Sequence, residues 1–378
     1  MAELLRLLLS VSEKAANVAR VCRQELFQLL VQEKTGVDKN KKFVQDFKTL
    51  ADVVIQEMIQ HDVCAQFPEL TGFIHGEESN KFENGLGESV TITVCAKEED
   101  TSDLLAKVLD GDQTAAVLLT KAIHQDLQIR DEAAESLQLA LSPADVGIWI
   151  DPIDATSQYI EGKEEEVSDG SFCPSGLPCA LVLIGVYLRD TGEPVMGVIN
   201  QPFSHKDSTG KGWKGQHFWG VSYGEVNKCS FTYPKQSLKK KNDSLSVVLS
   251  SSERREVKDA LAPLCNGCLK YASGAGYKIL CVIQGLVDVY VLSEGSTFKW
   301  DSCAPHALLR ALGGGVSDLG ECLSAVSNGN EGFKAELTYH QPQAGCQGVD
   351  RWANRGGLVA YLDSAVIDRV VGALVGKI

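Results

Sequence analysis

The segment from Val146 to Thr156 places two carboxylates and a proline directly after an unbroken apolar run. The apolar run predicts a buried strand. Because Pro152 has no backbone N–H to donate to a sheet, we expect the strand to end there. Asp151 and Asp154 then leave a rigid strand end close together, where their charges repel unless a cation lies between them. Oxygen ligands suit hard divalent cations such as Mg²⁺, so the segment predicts a metal site.

Asp and Pro are also common turn residues, so two aspartates around a proline are a weak signal alone. Two further acidic motifs strengthen the metal interpretation. His75-Gly-Glu-Glu-Ser79 follows a short predicted strand, and Lys299-Trp-Asp-Ser-Cys-Ala304 opens a predicted helix. Taken singly, the motif His75–Ser79 is an exposed acidic turn. Asp301 taken singly is an acid at a helix N-terminus, which the helix macrodipole favours.

Together the three motifs resemble, in content and in order, the signature elements of the lithium-sensitive, Mg²⁺-dependent phosphomonoesterases. Asp151-Pro-Ile-Asp-Ala-Thr156 matches the family's D-P-[IL]-D-[GAS]-T, and the other two match its G-E-E-S and W-D-x-x-A elements. This superfamily includes inositol monophosphatase and fructose-1,6-bisphosphatase. The resemblance implies phosphatase activity and an α/β fold with α+β lobes, built as a layered αβαβα sandwich.

The resemblance also implies two or three bound Mg²⁺ ions, with Li⁺ as an inhibitor. The implied metal ligands are Asp52, Glu77, Glu78, Asp151, the backbone carbonyl of Ile153, Asp154 and Asp301. Two such metals would clamp a phosphate and lower the pKa of a bound water. Thr156 and Asp52 resemble the family's water-orienting catalytic pair, in which the hydroxyl contacts water and the carboxylate accepts the hydroxyl proton. Water would then attack phosphorus without a covalent phosphoenzyme.

Substrate contacts are expected mainly from the second half of the chain. Gly274-Ala-Gly-Tyr-Lys278 resembles the family's substrate loop, in which Lys278 would contact a second phosphate or ring hydroxyls. The structural alternative is a glycine turn with a solvated lysine. Serines 250–252 with Arg254 either bind a phosphate or only cap a helix. The implied substrate-binding residues are Ala155, Thr156, Ser251, Ser252, Arg254, Gly274, Ala275, Lys278 and Thr297.

Longer stretches, such as 47–52 and 196–202, are most similar to the family members that act on inositol polyphosphates. This similarity implies removal of the 1-phosphate from inositol 1,4-bisphosphate and inositol 1,3,4-trisphosphate. One alternative is a nucleotidase that cleaves the 3′-phosphate of adenosine 3′,5′-bisphosphate with the same metal ligands. Another is an inactive binding module that keeps the fold. The presence of every acidic ligand and of Thr156 argues against the module.

The chain has 378 residues, a length that suits two lobes. Its formal net charge is -14. We expect an N-terminal lobe over 1–240, with the metal motifs and a mainly antiparallel sheet, and a C-terminal α/β lobe over 241–378. The negative charge argues against a nucleic-acid partner, and no apolar run is long enough to span a membrane. Scattered cysteines favour reduced thiols. We therefore expect a cytoplasmic monomer that takes a soluble inositol polyphosphate.

Periodicity predicts the main elements. Helices are expected over 2–33, 49–59 and 102–125, and strands over 89–95, 179–188, 195–200 and 217–223. In the second half, strands over 245–249, 287–292 and 357–361 alternate with helices over 253–264, 301–312 and 366–375. Residues 34–42 are expected to form a polar basic loop, either solvated or closing over a substrate phosphate. Residues 161–178 and 316–350 match the family least.

Overall fold

A computed structural model describes the protein over residues 1–24, 30–42, 45–164, 171–231, 244–330 and 332–378. Within these ranges the chain forms alternating layers of helix and sheet. The strands are β1 (Val31–Glu33), β2 (Phe47–Thr49), β3 (Ile74–Gly76), β4 (Lys81–Glu83), β5 (Ser89–Thr91), β6 (Val146–Asp154), β7 (Leu181–Leu188), β8 (Pro194–Lys206), β9 (Trp213–Tyr223), β10 (Val226–Cys229), β11 (Val247–Leu249), β12 (Lys270–Tyr271), β13 (Val289–Leu292), β14 (Gly315–Asp318) and β15 (Leu358–Tyr361). The helices are α1 (Ala2–Gln24), α2 (Leu50–Gln66), α3 (Glu98–Val108), α4 (Gln113–His124), α5 (Glu132–Glu135), α6 (Thr156–Glu161), α7 (Arg255–Leu261), α8 (Ala275–Ile283), α9 (Lys299–Ala311), α10 (Leu319–Ser327) and α11 (Ser364–Leu374).

The first sheet has the strand order β10-β9-β8-β7-β6-β3. Its pairs are antiparallel except for β3 and β6, which run parallel. Side chains alternate between the two faces of a strand, so Ile148 and Ile150 of β6 join the core under α1 and α2. Trp149 points the other way and joins the core around α9. The sheet therefore separates two helical layers.

The second sheet has the order β12-β11-β13-β15-β14. Tyr290 of β13 and Ala360 of β15 pack with α8 and α9 in the central core. Val289 and Val359, one residue earlier on each strand, pack with α7, α10 and α11 on the outer face. The layer sequence is thus helix, sheet, helix, sheet, helix. The predicted αβαβα sandwich is confirmed.

Some predicted boundaries were wrong. Helix α1 is described over Ala2–Gln24, and the predicted helix does not extend to residue 33, because residues 31–33 pair as β1 with β2 in an antiparallel hairpin. The predicted helix over 102–125 is two helices, since Asp110 and Gly111 both adopt positive φ between α3 and α4. Strand β14 and helix α10 were not predicted. The predicted lobe boundary at 240/241 lies outside the described residues.

Strand β6 also differs from its prediction, since it continues past Pro152 to Asp154. Its register against β7 shifts between Asp151 and Asp154. An irregularity of this kind leaves one residue without ladder hydrogen bonds, which is where a strand tolerates proline. The irregularity therefore accommodates the proline without ending the strand, and both aspartates remain on the sheet.

Across the described ranges, no helix combines the length and the apolar character that crossing a membrane requires.

Candidate active site

The end of β6 turns sharply into helix α6. Ala155 makes this turn with φ of 65° and ψ of 46°, in the left-handed region. A residue with a side chain adopts this conformation at a cost of roughly 1 kcal/mol or more, so the surrounding structure holds it there. The turn leaves Asp151 and Asp154 on the strand and places Thr156 at the first position of the helix.

Three aspartates from two distant segments meet at this strand end. Asp151, Asp154 and Asp301 each offer a carboxylate oxygen, and these oxygens lie within 4.8 Å of one another. Asp301 is fixed in the first turn of α9, where its Oδ2 accepts a hydrogen bond from the backbone N–H of Phe298 at 2.5 Å. The structure therefore brings together the sequence motifs 151–156 and 299–304.

The motif His75–Ser79 lies beside them because β3 pairs in parallel with β6. Gly76 pairs with Ile150, and the next residue, Glu77, donates its backbone N–H to the Ile150 carbonyl at 3.2 Å. Glu78 is held by Gln56 of α2, whose side-chain amide exchanges two hydrogen bonds with its backbone. The pairing thus carries both glutamates to the level of Asp151.

Asp52 lies in the first turn of α2 and takes part in a capping box. Its Oδ2 accepts hydrogen bonds from both the backbone N–H and the hydroxyl of Thr49, each at 2.6 Å. Its other oxygen, Oδ1, is buried without a hydrogen-bond partner among the described residues. The helix-cap role and a role in the site are therefore compatible, because one oxygen serves each.

Burial dominates the electrostatics of the carboxyl groups. It raises the pKa of Asp151 well above its usual range, and repulsion from Glu77 and Asp154 adds to this effect. Burial is likewise the main cause of raised pKa values for Asp301, for Asp154 (to about 6), for Asp52 (to about 7) and for Glu78 (to about 8). Without a cation, the folded protein therefore disfavours the full negative charge of this cluster.

The residues present fit a hard divalent cation. The donor set consists of oxygens alone, which is what Mg²⁺ prefers. The buried Oδ1 of Asp151, like that of Asp52, has no hydrogen-bond partner in the described part of the chain. Buried polar atoms are normally satisfied, so two unsatisfied carboxylate oxygens beside a three-aspartate cluster have the chemistry of ligands.

The aspartates lie in a cavity of about 360 Å³ between the two sheets. Its lining residues come from the β1–β2 loop, the end of β6, the serines after β11, the start of α8 and the start of α9. Predicted site residues at its surface are Glu77, Asp151, Ile153, Asp154, Ala155, Thr156, Ser251, Ser252, Gly274, Ala275, Lys278, Thr297 and Asp301. Asp52, Glu78 and Arg254 are not among the lining residues described. The Nε of Arg254 donates to the Ser293 hydroxyl at 3.0 Å.

The predicted substrate loop, residues 274–278, is packed directly against the predicted metal motif, residues 151–156. Gly274 has φ of 76°, and a Cβ atom at this position would lie 3.0 Å from Asp154 Oδ2 and 3.2 Å from Ala155 Cβ. Both the left-handed conformation and the close approach therefore require glycine. Helix α8 begins at the next residue, so its N-terminus faces Asp154.

Lys278 is buried, which rules out the alternative of a solvated lysine. Its ammonium donates hydrogen bonds to the carbonyls of Ala272 at 3.1 Å and Gly274 at 2.7 Å. Burial lowers its pKa, and the nearby Asp154 opposes that shift. In this structure Lys278 holds the substrate loop, while it also lines the cavity.

The predicted catalytic pair makes other contacts here. The Thr156 hydroxyl donates to the Ile153 carbonyl at 3.0 Å, and Asp52 Oδ2 accepts from Thr49. A direct Thr156–Asp52 hydrogen bond is not seen among the described contacts. The role of the pair as water-orienting residues stays a prediction.

The β1–β2 loop contributes residues that sequence reasoning did not assign. Lys34 Nζ lies 2.6 Å from Glu77 Oε1 and 2.6 Å from Glu78 Oε1. Asp38, Asn40 and Asp46 also line the cavity. The signal available in the sequence was the basic run 34–42 upstream of Asp52, which we interpreted as a loop, either solvated or closing over a substrate phosphate, and not as a partner of the acidic residues. The pairing of β1 with β2, which places this run over the cavity, was the missing information.

The layered sandwich carries a cavity lined by acidic residues between its two sheets, which is the arrangement of an enzyme site. A profile of the inositol monophosphatase family matches residues 5–366. The chain belongs to the inositol monophosphatase family.

Individual relatives agree with this placement. The chain is 47% identical over 394 residues to inositol polyphosphate 1-phosphatase of Homo sapiens, with 99% of this chain and 98% of that protein covered. The Mus musculus protein of the same name is 46% identical over 387 residues, with 99% and 98% covered. Human 3'(2'),5'-bisphosphate nucleotidase 1 is 26% identical over 310 residues, with 82% and 81% covered. Family and relatives together show that the chain is a phosphatase.

Solved structures agree on the fold. The extragenic suppressor protein suhB from Bartonella henselae superposes with a TM-score of 0.53 at 13% identity, with 100% of both chains covered. An IMPase/NADP phosphatase complexed with Mg²⁺ and phosphate superposes with a TM-score of 0.51 at 11% identity, with 92% of this chain and 87% of that chain covered.

Proposed function

We propose that this phosphatase is Mg²⁺-dependent and lithium-inhibited, and that it removes the 1-phosphate from inositol 1,4-bisphosphate and inositol 1,3,4-trisphosphate. The observation that carries the metal dependence is the cluster of Asp151, Asp154 and Asp301 oxygens within 4.8 Å. The substrate is supported by the relatives named inositol polyphosphate 1-phosphatase, which match 99% of this chain. The Mg²⁺ complex of a protein with the same fold supports the choice of cation.

In this proposal, Asp151, Asp154, Asp301, Glu77 and the Ile153 carbonyl hold the cations, and Glu78 acts on them through water. Bound Mg²⁺ would polarise the phosphate and lower the pKa of a bound water. The chain's own contribution is geometric, because β6, β3 and α9 fix the ligands before a cation arrives. Preorganised oxygens of this kind avoid reorganisation during the reaction.

Thr156 and Asp52 orient the attacking water in this proposal. For that role the Thr156 hydroxyl has to leave the Ile153 carbonyl, to which it donates at 3.0 Å. The same rotation frees that carbonyl as a ligand. Asp52 Oδ1 has no hydrogen-bond partner among the described residues, so it retains the capacity to accept the hydroxyl proton.

The rest of the substrate contacts the opposite wall of the cavity. Ser251 and Ser252 are exposed there, and Thr297, Gly274 and Lys278 complete the wall. Hydroxyls and an ammonium suit the hydroxyls and second phosphate of a small polyol. Arg254 stays a proposed contact that would require its side chain to leave Ser293.

Two further parts of the proposal concern the surroundings. No disulfide links cysteines of the described residues, which suits a reducing compartment such as the cytoplasm. We propose a monomer as well, which light scattering of the purified protein tests.

The test of the proposed function compares initial rates of phosphate release from inositol 1,4-bisphosphate and adenosine 3′,5′-bisphosphate, each in Mg²⁺ and in EDTA. We expect release from the inositol substrate in Mg²⁺ and none in EDTA. A higher kcat/KM on the nucleotide would favour the nucleotidase function. The 26% identity to human 3'(2'),5'-bisphosphate nucleotidase 1 is the reason for testing this alternative. Release that is unchanged in EDTA would contradict metal dependence.

A further inference from the structure

We propose that Lys34 is an internal counter-cation of the acidic site, which balances the carboxylates in the metal-free protein and weakens Mg²⁺ binding beside Glu77. This inference rests on the proposed metal-dependent function. Lys34 is a positioning residue in this account, since it acts on the ligands and not on the substrate.

The geometry of Lys34 is that of a bound cation. Its ammonium lies 2.6 Å from an oxygen of Glu77 and 2.6 Å from an oxygen of Glu78. The side chain of Lys34 is 3% exposed, and those of Glu77 and Glu78 are 19% and 2% exposed. A buried lysine is costly unless its charge is paired, and here one ammonium bridges two adjacent carboxylates. The other buried lysine of the cavity, Lys278, donates to carbonyl oxygens instead.

The ammonium and a metal ion compete for the same ligand. Glu77 Oε1 is the oxygen that Lys34 contacts, and Glu77 is a proposed ligand of the first metal. Two cations held a few ångströms apart in a poorly solvated site repel strongly. Metal binding therefore has either to displace the lysine or to tolerate its charge, and both weaken the affinity for the metal.

The loop that carries Lys34 makes contacts with the C-terminal half of the chain. The Asn40 side chain donates to the Ser296 carbonyl at 3.4 Å. The ion pair of Lys41 with Asp350 contributes little to holding the loop, because the lysine side chain is 73% exposed. The Val349 N–H donates to the Val37 carbonyl at 3.1 Å. These contacts fasten the β1–β2 loop to the C-terminal half of the chain. The counter-cation is therefore built into the framework of the cavity.

The test compares the wild type, Lys34→Met and the matched control Lys41→Met, which removes a lysine of the same loop that pairs away from the carboxylate cluster. Two quantities are measured: the Mg²⁺ Kd by calorimetry, and Tm in EDTA and in saturating Mg²⁺. For Lys34→Met we expect a Kd at least about tenfold tighter. We also expect a Tm about 5 °C lower in EDTA, with the deficit removed by Mg²⁺. Lys41→Met should change neither the Kd nor the response of Tm to Mg²⁺.

A Tm deficit that is equal with and without Mg²⁺, together with an unchanged Kd, would overturn the inference, because it would make Lys34 a structural residue only. If Lys34→Met does not fold in EDTA, the double variant Lys34→Met/Glu78→Gln decides the question. It restores the charge balance, so we expect it to fold in EDTA with a higher Tm than Lys34→Met. A wild type that binds no Mg²⁺ would contradict the proposed function instead, and the comparison in EDTA would still decide the role of Lys34 as counter-cation.

Discussion

Asp154 Oδ2 accepts a hydrogen bond from the backbone N–H of Tyr277 at 3.3 Å. This contact joins the end of β6 in the first sheet to the first turn of α8. Gly276 makes the approach possible, because a Cβ atom there would lie 2.9 Å from the same oxygen and 2.7 Å from Leu183 Cδ1. The metal motif and the substrate loop are therefore one packed unit, and changes in either should affect both.

The first prediction concerns Asp154→Asn. The amide oxygen can still accept from Tyr277, but the charge that a cation requires is lost. We expect kcat to fall roughly a hundredfold or more, which corresponds to about 3 kcal/mol of transition-state stabilisation. The measurement is phosphate release in saturating Mg²⁺. Near-normal turnover by a folded variant would contradict the ligand assignment.

The same variant should be more stable than the wild type in EDTA. Burial raises the pKa of Asp154 to about 6, so its ionised form costs stability at pH 7. Removing the charge should raise the free energy of unfolding by roughly 1–3 kcal/mol. Asp363→Asn is the matched control, since Asp363 caps α11 at the protein surface. A stability gain in the control alone would show that the acidic cluster carries no such strain.

The second prediction is uncompetitive inhibition by Li⁺. In our account the acidic residues would hold Li⁺ at the weaker cation position after turnover, and the product phosphate would then stay bound. An uncompetitive inhibitor lowers kcat and KM by the same factor. Initial rates are therefore measured across substrate concentrations at several Li⁺ concentrations. Steady-state rates that do not respond to millimolar Li⁺ would contradict the proposal.

The third prediction concerns Lys278→Ala. A charge-assisted contact with a second phosphate is worth roughly 1.5–3 kcal/mol, so kcat/KM on inositol 1,4-bisphosphate should fall about tenfold to a hundredfold. The loss should be smaller on inositol 1-phosphate, which lacks the second phosphate. Lys270→Ala is the matched control, because Lys270 also donates to a backbone carbonyl, that of Leu286.

The two hydrogen bonds from Lys278 to its own loop sharpen the interpretation of this variant. If Lys278 only holds the loop, its substitution should lower kcat/KM by the same factor for both substrates. An equal loss on both therefore contradicts recognition of the second phosphate and assigns Lys278 to loop positioning. No loss on either would leave the lysine without a role in the reaction.

The fourth prediction concerns the acid stability of the protein. Burial, with the nearby Arg310, lowers the pKa of His306 to about 3, and its Nε2 has no hydrogen-bond partner in the described ranges. As pH falls below about 6.5, His306 is protonated in the unfolded chain but stays neutral in the folded protein. The free energy of unfolding therefore decreases. Between pH 7 and pH 5 this residue should cost about 2 kcal/mol.

His306→Phe removes this titration and keeps an aromatic ring beside Tyr339, whose hydroxyl also contacts Ser302. We expect the loss of unfolding free energy between pH 7 and pH 5 to be about 2 kcal/mol smaller in the variant than in the wild type. Urea unfolding of both proteins at the two pH values measures it. The same pH dependence in both proteins would show that His306 does not titrate on unfolding.

The sequence sufficed for the layer order and for the acidic residues. Periods of two and 3.6 residues indicate strands and helices directly, and the motifs around Glu77, Asp151 and Asp301 carry a family resemblance. The strand end at Pro152 was wrong because tertiary pairing with β7 continues through an irregular step. Local propensity cannot show such an irregularity, since the neighbouring strand decides it.

Lys34 shows the other limit of sequence reasoning. Its role depends on the pairing of residues 31–33 with 47–49, and our prediction had placed 31–33 in a helix. A lysine in a polar run has the sequence signature of a solvated loop. Only the hairpin and the position of β3 bring its ammonium to Glu77 and Glu78.

The most direct test of the central claim is the identity of the product formed from inositol 1,4-bisphosphate in Mg²⁺, resolved by phosphorus NMR. Our account predicts inositol 4-phosphate and inorganic phosphate, with no product in EDTA. Inositol 1-phosphate as the product would contradict the proposed position of cleavage. The absence of any product from a folded, Mg²⁺-loaded protein would contradict the proposed substrate.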